Sequence, residues 1–299
     1  MDLLQLTYFQ KVARLEHMTK AARELNVAQP ALSMAIARLE SDLGVPLFDR
    51  HGRQIRLNAY GKAFLARTDT ALTALEEGRR ELADMTGLEH GQITLAVTTL
   101  NRISELLGAF LTRYPDVRFR VTQAPSEEKK SQLLEKGDID FFFSYMPLQH
   151  PEINCLPLFT ESILLAVPPS HPLAGLTSVR LQDVAEESFV SLKTGYSFRD
   201  ITDSYCREAG FTPSIVCVGD EPAAIQGLVR AGLGIAFQPV AAAHNEAEAS
   251  GLHFLEISEP ACRWTLHLLW RKEHYLSKAA RHFHNFAVDY YKGDQEENP

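Results

Sequence analysis

The chain lacks the sequence features of several protein classes. Its 299 residues include four cysteines without any Cys-x-x-Cys spacing, so neither a zinc ribbon nor a disulfide framework is supported. It has no apolar run of 18 residues and no signal-peptide pattern, and we therefore expect a cytoplasmic protein without a membrane partner. The eleven histidines are scattered, and no Gly-x-Ser-x-Gly, His-Glu-x-x-His or phosphate-loop string occurs. The sequence predicts no enzyme, no cofactor and no metal site.

Charge divides the chain into two unlike parts. The formal net charge is −8, but residues 1–58 carry eight Lys and Arg against six Asp and Glu, a net charge of +2. The remaining residues hold 22 basic and 32 acidic side chains, a net charge of −10. A chain of this length exceeds one compact core, so we expect two or three domains, the first of them mildly basic.

The stretch 18–61 predicts two short amphipathic helices, a tight turn and a basic hairpin. Thr19 is the predicted cap of the first helix, and Pro30 fixes φ at the start of the second. In the second helix, helical spacing predicts an inward face of Ala31, Leu32, Ala35, Ile36 and Leu39. The opposite face carries the polar groups that a helix-turn-helix places in the DNA major groove.

Three arginines in the hairpin after Phe48 predict a wing against phosphates or the minor groove. The whole unit, residues 1–58, is a predicted winged helix-turn-helix. A helical bundle with a solvated charged surface is the alternative, although such a bundle needs no basic hairpin after its third helix. The predicted DNA-binding residues are Thr19, Gln29, Pro30, Ser33, Met34, Arg38, Arg50, Arg53 and Arg56.

A long helix is predicted for residues 59–88, after the cap Asn58. Its apolar positions repeat at heptad spacing, which is typical of a helix that pairs with its copy in another subunit. Packing on its own domain is the alternative. A two-fold dimer implies an inverted-repeat operator with half-sites about one helical turn apart. The two predicted seams are Leu65, Thr68, Leu72, Leu75, Arg79 and Leu82, and Ala71, Leu75, Gly78, Leu82 and Met85.

Residues 92–299 alternate strands and helices and predict an α/β domain with a parallel sheet. Two lobes are expected, lobe I at about 92–160 and 265–292 and lobe II at about 161–264, joined by crossing strands near Phe159 and Glu259. The tail GDQEENP is predicted to be disordered.

Ligands of such sheets bind beyond the carboxyl ends of strands, in the crevice between the lobes. Hydroxyls, helix starts and two cations there predict a small carboxylate or a similar anion as ligand. Helix capping by the hydroxyls and solvation of the cations is an equally good interpretation. The predicted effector-binding residues are Thr98, Thr99, Asn101, Ser126, Lys193, Thr194, Ser197 and Arg199.

The N-terminal domain of LysR-type transcriptional regulators is similar to the run AARELNVAQPALSMAIARLESDLGVPLFDR, followed by the hairpin and LNAYG. This chain has Ala28 where the family usually has Ser, and Met34 where it often has Arg. A methionine can still touch a thymine methyl group. The effector domain of the family, which resembles periplasmic solute-binding proteins in fold, is similar to LLEKGDIDFFF, SILLAVPPSHPLA and AIQGLVRAGLGIAFQPV.

The resemblance implies a ligand-responsive regulator that binds double-stranded DNA and a small-molecule effector. It implies a homodimer that assembles into a homotetramer, and RNA polymerase as a partner if the protein activates transcription. Some relatives sense oxidants through a cysteine pair, which raises that question for Cys206 and Cys217, whereas buried reduced thiols are the other interpretation. A cytoplasmic solute-binding protein without a DNA role is the alternative function, and a two-lobed enzyme is a third.

Overall fold

The computed structural model describes residues 1–51, 54–85, 91–98, 101–124, 126–240 and 251–297. The chain divides into two compact units, Met1–Leu88 and Glu89–Pro299. The first unit has the predicted order of three helices, a hairpin and a long helix. Its elements are α1 (Leu3–Leu15), α2 (Met18–Glu24), α3 (Gln29–Leu43), β1 (Phe48–His51), β2 (Gln54–Leu57) and α4 (Ala59–Met85).

Phe9 of α1 lies at the centre of the first unit. It is fully buried, and its ring lies 5.6 Å from that of Phe48 in the hairpin and 5.2 Å from that of Phe64 in α4. Leu32 and Ile36 of α3 are fully buried in the same cluster. One apolar core therefore fixes the positions of α3, the hairpin and the start of α4.

Two local predictions in this unit are wrong. The N-cap of α2 is His17, whose Nδ1 accepts a hydrogen bond from the backbone N–H of Lys20 at 3.2 Å. Thr19 lies inside the first turn with its side chain exposed, so it is not the cap. Ala31 is also exposed, because it lies about 100° around the helix from the inward Leu32. The predicted break between the helices is confirmed at Asn26, which has a left-handed φ of 55°.

The second unit alternates strands and helices, and its sheet is mixed. The strands are β3 (Gln92–Val97), β4 (Arg118–Gln123), β5 (Phe141–Ser144), β6 (Ile153–Val167), β7 (Ser178–Arg180), β8 (Ser188–Leu192), β9 (Ser214–Gly219), β10 (Ala236–Pro239), β11 (His253–Glu259) and β12 (Arg263–Arg271). The helices are α5 (Asn101–Arg113), α6 (Glu127–Glu135), α7 (Ser197–Glu208), α8 (Pro222–Arg230) and α9 (Lys278–Glu297), with short 3₁₀ helices at Pro172–Gly175 and Leu181–Val184.

The strands of the second unit pair in both directions. β3 pairs in parallel with β4 and β5, as predicted, whereas β12 runs antiparallel to β5 and β6. The main sheet has the order β4-β3-β5-β12-β6-β11-β7, β10 also pairs with β6, and β8 and β9 form a second sheet.

The 15-residue strand β6 connects two apolar cores. One core surrounds the fully buried Phe283 and draws on 93–158 and 266–291; we call this part lobe I. The other surrounds Phe189 and draws on 163–264; we call this part lobe II. This strand contains Phe159, near which a crossing strand was predicted, and Pro157 lies two residues before it. The register with β12 shifts at that point, between Leu266 and His267.

The C-terminal helix α9 runs to Glu297, so the predicted disorder of GDQEENP is wrong for the part of it that the structure describes. Gln and Glu are good helix formers and extend the amphipathic helix beyond Gly293. The short strand β7 was not predicted, whereas β11 ends at Glu259, near which a strand was expected. No helix in the described ranges is both long and apolar enough to cross a membrane.

Candidate DNA-binding surface and effector cleft

The outward face of α3 carries a compact set of polar and soft apolar side chains. Gln29 and Arg38 are exposed, Met34 is 70% exposed and Ser33 is half-buried, while Leu32 lies in the core on the other side. Pro30 is exposed in the first turn. Within the described residues, Ala28 at the N-cap supplies no side-chain hydrogen bond, which leaves first-turn N–H groups of α3 for an outside acceptor. A phosphate oxygen is such an acceptor.

Two carboxylates fix the base of the hairpin. Glu40 Oε1 accepts hydrogen bonds from the backbone N–H groups of Leu47, at 2.8 Å, and Phe48, at 3.3 Å. Glu16 Oε1 accepts one from the backbone N–H of Leu57 at 2.8 Å. The exposed Arg56 lies on β2 of this hairpin, opposite Asp49 of β1.

Of the other two predicted wing arginines, Arg53 and the side chain of Arg50 lie outside the described residues.

The first half of α4 is attached to α1, and its second half carries exposed apolar side chains. Asp69 Oδ1 accepts hydrogen bonds from Gln10 Nε2 at 2.6 Å and from Arg14 Nη2 at 3.2 Å, which attaches α4 to α1. Thr68, predicted for the seam, is buried in this unit. Further along, three predicted seam residues are exposed: Leu75 by 53%, Leu82 by 64% and Met85 by 74%, while Leu72 and Gly78 are half-buried. Asn58 caps the helix as predicted, its Oδ1 accepting from the backbone N–H of Gly61 at 2.9 Å.

A buried lysine that the sequence did not indicate lies at the centre of the predicted effector site. Lys130 of α6 has no exposed surface, and its Nζ donates hydrogen bonds to Thr98 Oγ1 at 3.1 Å, Glu127 Oε1 at 2.7 Å and the Phe143 carbonyl at 2.9 Å. Burial lowers the pKa of Lys130, and the Glu127 carboxylate opposes that change. Its surrounding sequence, EEKKSQ, has the pattern of a solvated helix face, which is why the residue was missed.

Glu127 of lobe I contacts lobe II through a long hydrogen bond from Ser197. Ser197, the first residue of α7 in lobe II, donates its hydroxyl to Glu127 Oε1 at 3.4 Å. Ser126 caps α6, as predicted, through the backbone N–H of Lys129 at 3.3 Å. Three predicted effector residues, Thr98, Ser126 and Ser197, therefore lie around the Lys130–Glu127 pair.

The two predicted cations of the cleft already have acidic partners. Arg199 Nε donates to Asp203 Oδ2 at 2.6 Å, and its Nη1 donates to the Leu192 carbonyl at 3.2 Å. Lys193 Nζ lies 3.6 Å from Asp220 Oδ2 in an exposed pair.

Three other predicted effector residues contribute no described contact to this cluster. Thr194 is exposed, while Thr99 and the side chain of Asn101 lie outside the described residues.

An aromatic cluster lies where the lobes meet. The Trp264 ring on β12 stacks on Tyr145 of lobe I, with centroids 3.5 Å apart, and meets the edge of Phe198 of α7 at 4.7 Å. Trp264 Nε1 is buried and has no hydrogen-bond partner among the described residues. His267 Nδ1, on the same strand, is likewise buried and unpartnered there, and burial lowers the pKa of His267.

The cysteines do not form the pair raised by the sequence. Cys206 lies in the core of lobe II around Phe189, whereas Cys217 packs in a separate cluster around Ile225. Burial raises the pKa of Cys206 and of Cys262 to about 12, so both are protonated at neutral pH. All four cysteines are free thiols.

A winged helix-turn-helix joined to a two-lobed α/β unit defines a class of ligand-responsive, DNA-binding transcriptional regulators. The sequence model of one protein family, described as bacterial regulatory helix-turn-helix protein, lysR family, matches residues 3–62. The sequence model of a second family, the LysR substrate binding domain, matches residues 86–292. The chain belongs to the LysR family of transcriptional regulators. The family confirms the predicted fold class and general function, and its members found here are regulators rather than enzymes.

Similar proteins match the whole chain or its second unit. The HTH-type transcriptional regulator YybE of Bacillus subtilis is 35% identical over 296 residues, which cover 97% of this chain and 99% of YybE. Full-length CbnR, solved with its target DNA, is 26% identical with a TM-score of 0.69, covering 97% of this chain and all of CbnR. The effector binding domain of QuiR, solved with shikimate, is 28% identical with a TM-score of 0.60, covering 68% of this chain and 98% of that domain.

Proposed function

We propose that α3 lies in the DNA major groove and that the hairpin contacts the backbone beside it. The observation that carries this proposal is the division of α3 into a buried face at Leu32 and Ile36 and an exposed face at Gln29, Met34 and Arg38. Gln and Arg have the donor and acceptor groups that read base edges, and Met offers an apolar contact to a thymine methyl. Thr19, Pro30, Ser33, Arg50, Arg53 and Arg56 complete the proposed DNA-binding surface.

We further propose that two chains pair through the exposed apolar half of α4. Leu75, Leu82 and Met85 are exposed apolar side chains at helical spacing, and a second copy of the helix would remove them from water. We call the winged helix-turn-helix of each chain, residues 1–58, its reading head. Two paired reading heads then bind the two half-sites of an inverted repeat. Each head carries a net charge of only +2, so high affinity requires several heads on one operator, as in a dimer of dimers.

The effector site of this proposal is the cleft between the lobes, and its ligand is a small carboxylate. The start of α7 offers N–H groups that no side chain caps within the described part of the chain, and Trp264 Nε1 adds an unpartnered donor nearby. QuiR, a similar protein, was solved with shikimate, which carries a carboxylate.

Binding of the effector shifts the population of lobe arrangements and changes the spacing of the paired heads. In an activator, it also alters the contact with RNA polymerase. The protein acts in the cytoplasm, where its DNA lies.

Selection of bound sequences from random duplex DNA tests the DNA-binding proposal. Full-length protein should enrich a dyad whose half-sites lie about 10 base pairs apart, centre to centre, or a multiple of that spacing. The same selection with Met34→Ala should relax the preference at one position in each half-site, because only one apolar contact is lost. Enriched sequences without a dyad would refute the paired reading heads. An unchanged preference in Met34→Ala would remove this residue from the base-reading set.

A further inference from the structure

Glu127 occupies the position at which an anionic ligand would meet lobe II. It is the first residue of α6, and its Oε1 accepts the hydroxyl of Ser197, the first residue of α7. The N-cap of α7, Tyr196, supplies no side-chain hydrogen bond to the first turn within the described chain. The carboxylate of Glu127 therefore lies beside a helix start that no other described side chain caps, where negative charge is favourable.

Lys130, whose Nζ lies 2.7 Å from Glu127 Oε1, holds that carboxylate in place. All three of its ammonium donors have partners, Thr98, Glu127 and the Phe143 carbonyl, and the side chain is fully buried. A buried cation with this set of partners has one preferred geometry, because losing any of them leaves a buried charge under-solvated. Glu127 is thus fixed within lobe I and makes its contact with Ser197 only when the lobes are in the present arrangement.

A second donor, in the aromatic cluster that includes Phe198 of α7, has no acceptor within the described ranges. Trp264 Nε1 is buried and unpartnered among the residues that the structure describes, and Trp264 itself is 92% buried. Its ring meets Phe198, which follows Ser197 in α7. A buried indole N–H usually has a partner, so this donor points to an acceptor that the chain itself does not provide.

We propose that Glu127 is an internal competitor of the effector. In the absence of ligand its carboxylate joins the lobes through Ser197. A ligand carboxylate takes Ser197, the first-turn N–H groups of α7 and the indole N–H of Trp264, while Glu127 keeps its ion pair with Lys130. Two carboxylates cannot share one helix start without repulsion, so ligand binding and the Glu127–Ser197 contact exclude each other. The inference rests on the proposed carboxylate site and adds a ligand-dependent release of the lobes to it.

Tryptophan fluorescence tests the contact without any ligand. The chain has two tryptophans, and Trp270→Phe leaves Trp264, which lies in the cluster between the lobes, as the sole reporter. In that background Glu127→Gln and Ser197→Ala should each raise the acrylamide quenching constant by about twofold or more, because the lobes separate more often. Ser197→Ala leaves the Lys130–Glu127 pair intact, so it remains informative if Glu127→Gln fails to fold.

Glu128→Gln is the matched control. Glu128 is the next residue of α6, it is exposed, and its carboxylate accepts from Gln132 within the helix. Glu128→Gln removes the same charge from the same turn of α6 without changing a contact to the other lobe. Its quenching constant should therefore equal that of the Trp270→Phe protein. Equal acrylamide quenching constants in Glu127→Gln, Ser197→Ala and Glu128→Gln would overturn the proposal that Glu127 joins the lobes and competes with the effector.

Calorimetric titration with benzoate, a carboxylate with a flat apolar ring, tests the competition. Glu127→Gln should bind benzoate about tenfold more tightly than Glu128→Gln, since the ligand no longer displaces a charge. Equal or weaker binding by Glu127→Gln would refute competition. If benzoate bound none of the proteins, the proposed carboxylate site would fail, whereas the quenching results would still decide whether Glu127 joins the lobes.

Discussion

The reading head and the effector cleft place their functional groups in opposite environments. On α3, Gln29, Met34 and Arg38 are exposed and no ion pair among the described contacts holds them. In the cleft, Lys130 is fully buried, and the cation Arg199 is paired with an acid. The head therefore presents ready contacts to a large polyanion, whereas a ligand that takes Ser197 in the cleft must displace the existing contact between Ser197 and Glu127. This difference suits a surface that binds and a cleft that switches.

The largest expected effects come from removing the central ring of each unit. Phe9→Ala and Phe283→Ala should each cost about 3–5 kcal/mol of unfolding free energy, because each ring is fully buried among other rings. Both tryptophans lie in β12, so urea unfolding followed by their fluorescence reports the second unit. Phe283→Ala should lower that midpoint, whereas Phe9→Ala should leave it unchanged and abolish operator binding. A lowered tryptophan midpoint in Phe9→Ala would show that the units do not unfold separately.

A charge introduced among the exposed apolar residues of α4, Leu75, Leu82 and Met85, should have the next largest effect, on dimer formation. Leu82→Lys places an ammonium group in the proposed helix pair, and we expect the dimer dissociation constant to rise at least about tenfold. Sedimentation equilibrium measures it. Ala74→Lys makes the same change at an exposed position of α4 outside both predicted seams, and it should leave the dissociation constant unchanged. Equal dissociation constants in the two variants would exclude pairing through Leu82.

Removing a single contact of the reading head should cost less. Arg38→Ala should lose about 1–3 kcal/mol of operator binding free energy if its guanidinium contacts a base edge. Fluorescence anisotropy with the selected operator measures the loss. Arg67→Ala removes an exposed arginine from α4 instead, so it is the control for the general effect of charge. If both variants lost the same operator binding free energy, Arg38 would contribute only its positive charge and would not contact a base edge.

The sequence predicted the elements of residues 18–61, apart from the Thr19 cap and the inward Ala31, but it did not predict the central contacts of the cleft. The faces of α3 follow from the 3.6-residue period of one helix, so local spacing suffices. The contact between Glu127 and Ser197 joins residues 70 positions apart, and only the assembled fold brings them together. Lys130 has the appearance of a surface residue in sequence, since an i, i+3 pair of Glu and Lys is usually solvated. The Thr19 error arose because His17, an uncommon cap, supplies the acceptor.

The smallest functional effect is expected from thiol chemistry. With a pKa of about 12, Cys206 and Cys262 carry only about one thiolate in ten thousand at pH 8. Native protein treated with iodoacetamide at pH 8 should be alkylated first at the partly exposed Cys155 and Cys217, as peptide mass spectrometry would reveal. In urea all four should react alike. Fast alkylation of Cys206 in the native protein would contradict its burial and reopen a redox role.

The salt dependence of operator binding in Arg56→Ala tests the central claim most directly. Arg56 is the proposed wing arginine whose side chain the structure describes, exposed on β2. If the wing contacts phosphates, the slope of log affinity against log salt should fall by about 1 for each bound head, with weaker binding to every sequence. An affinity and slope equal to those of the wild-type protein would contradict the assignment of residues 1–58 as a winged DNA-binding head.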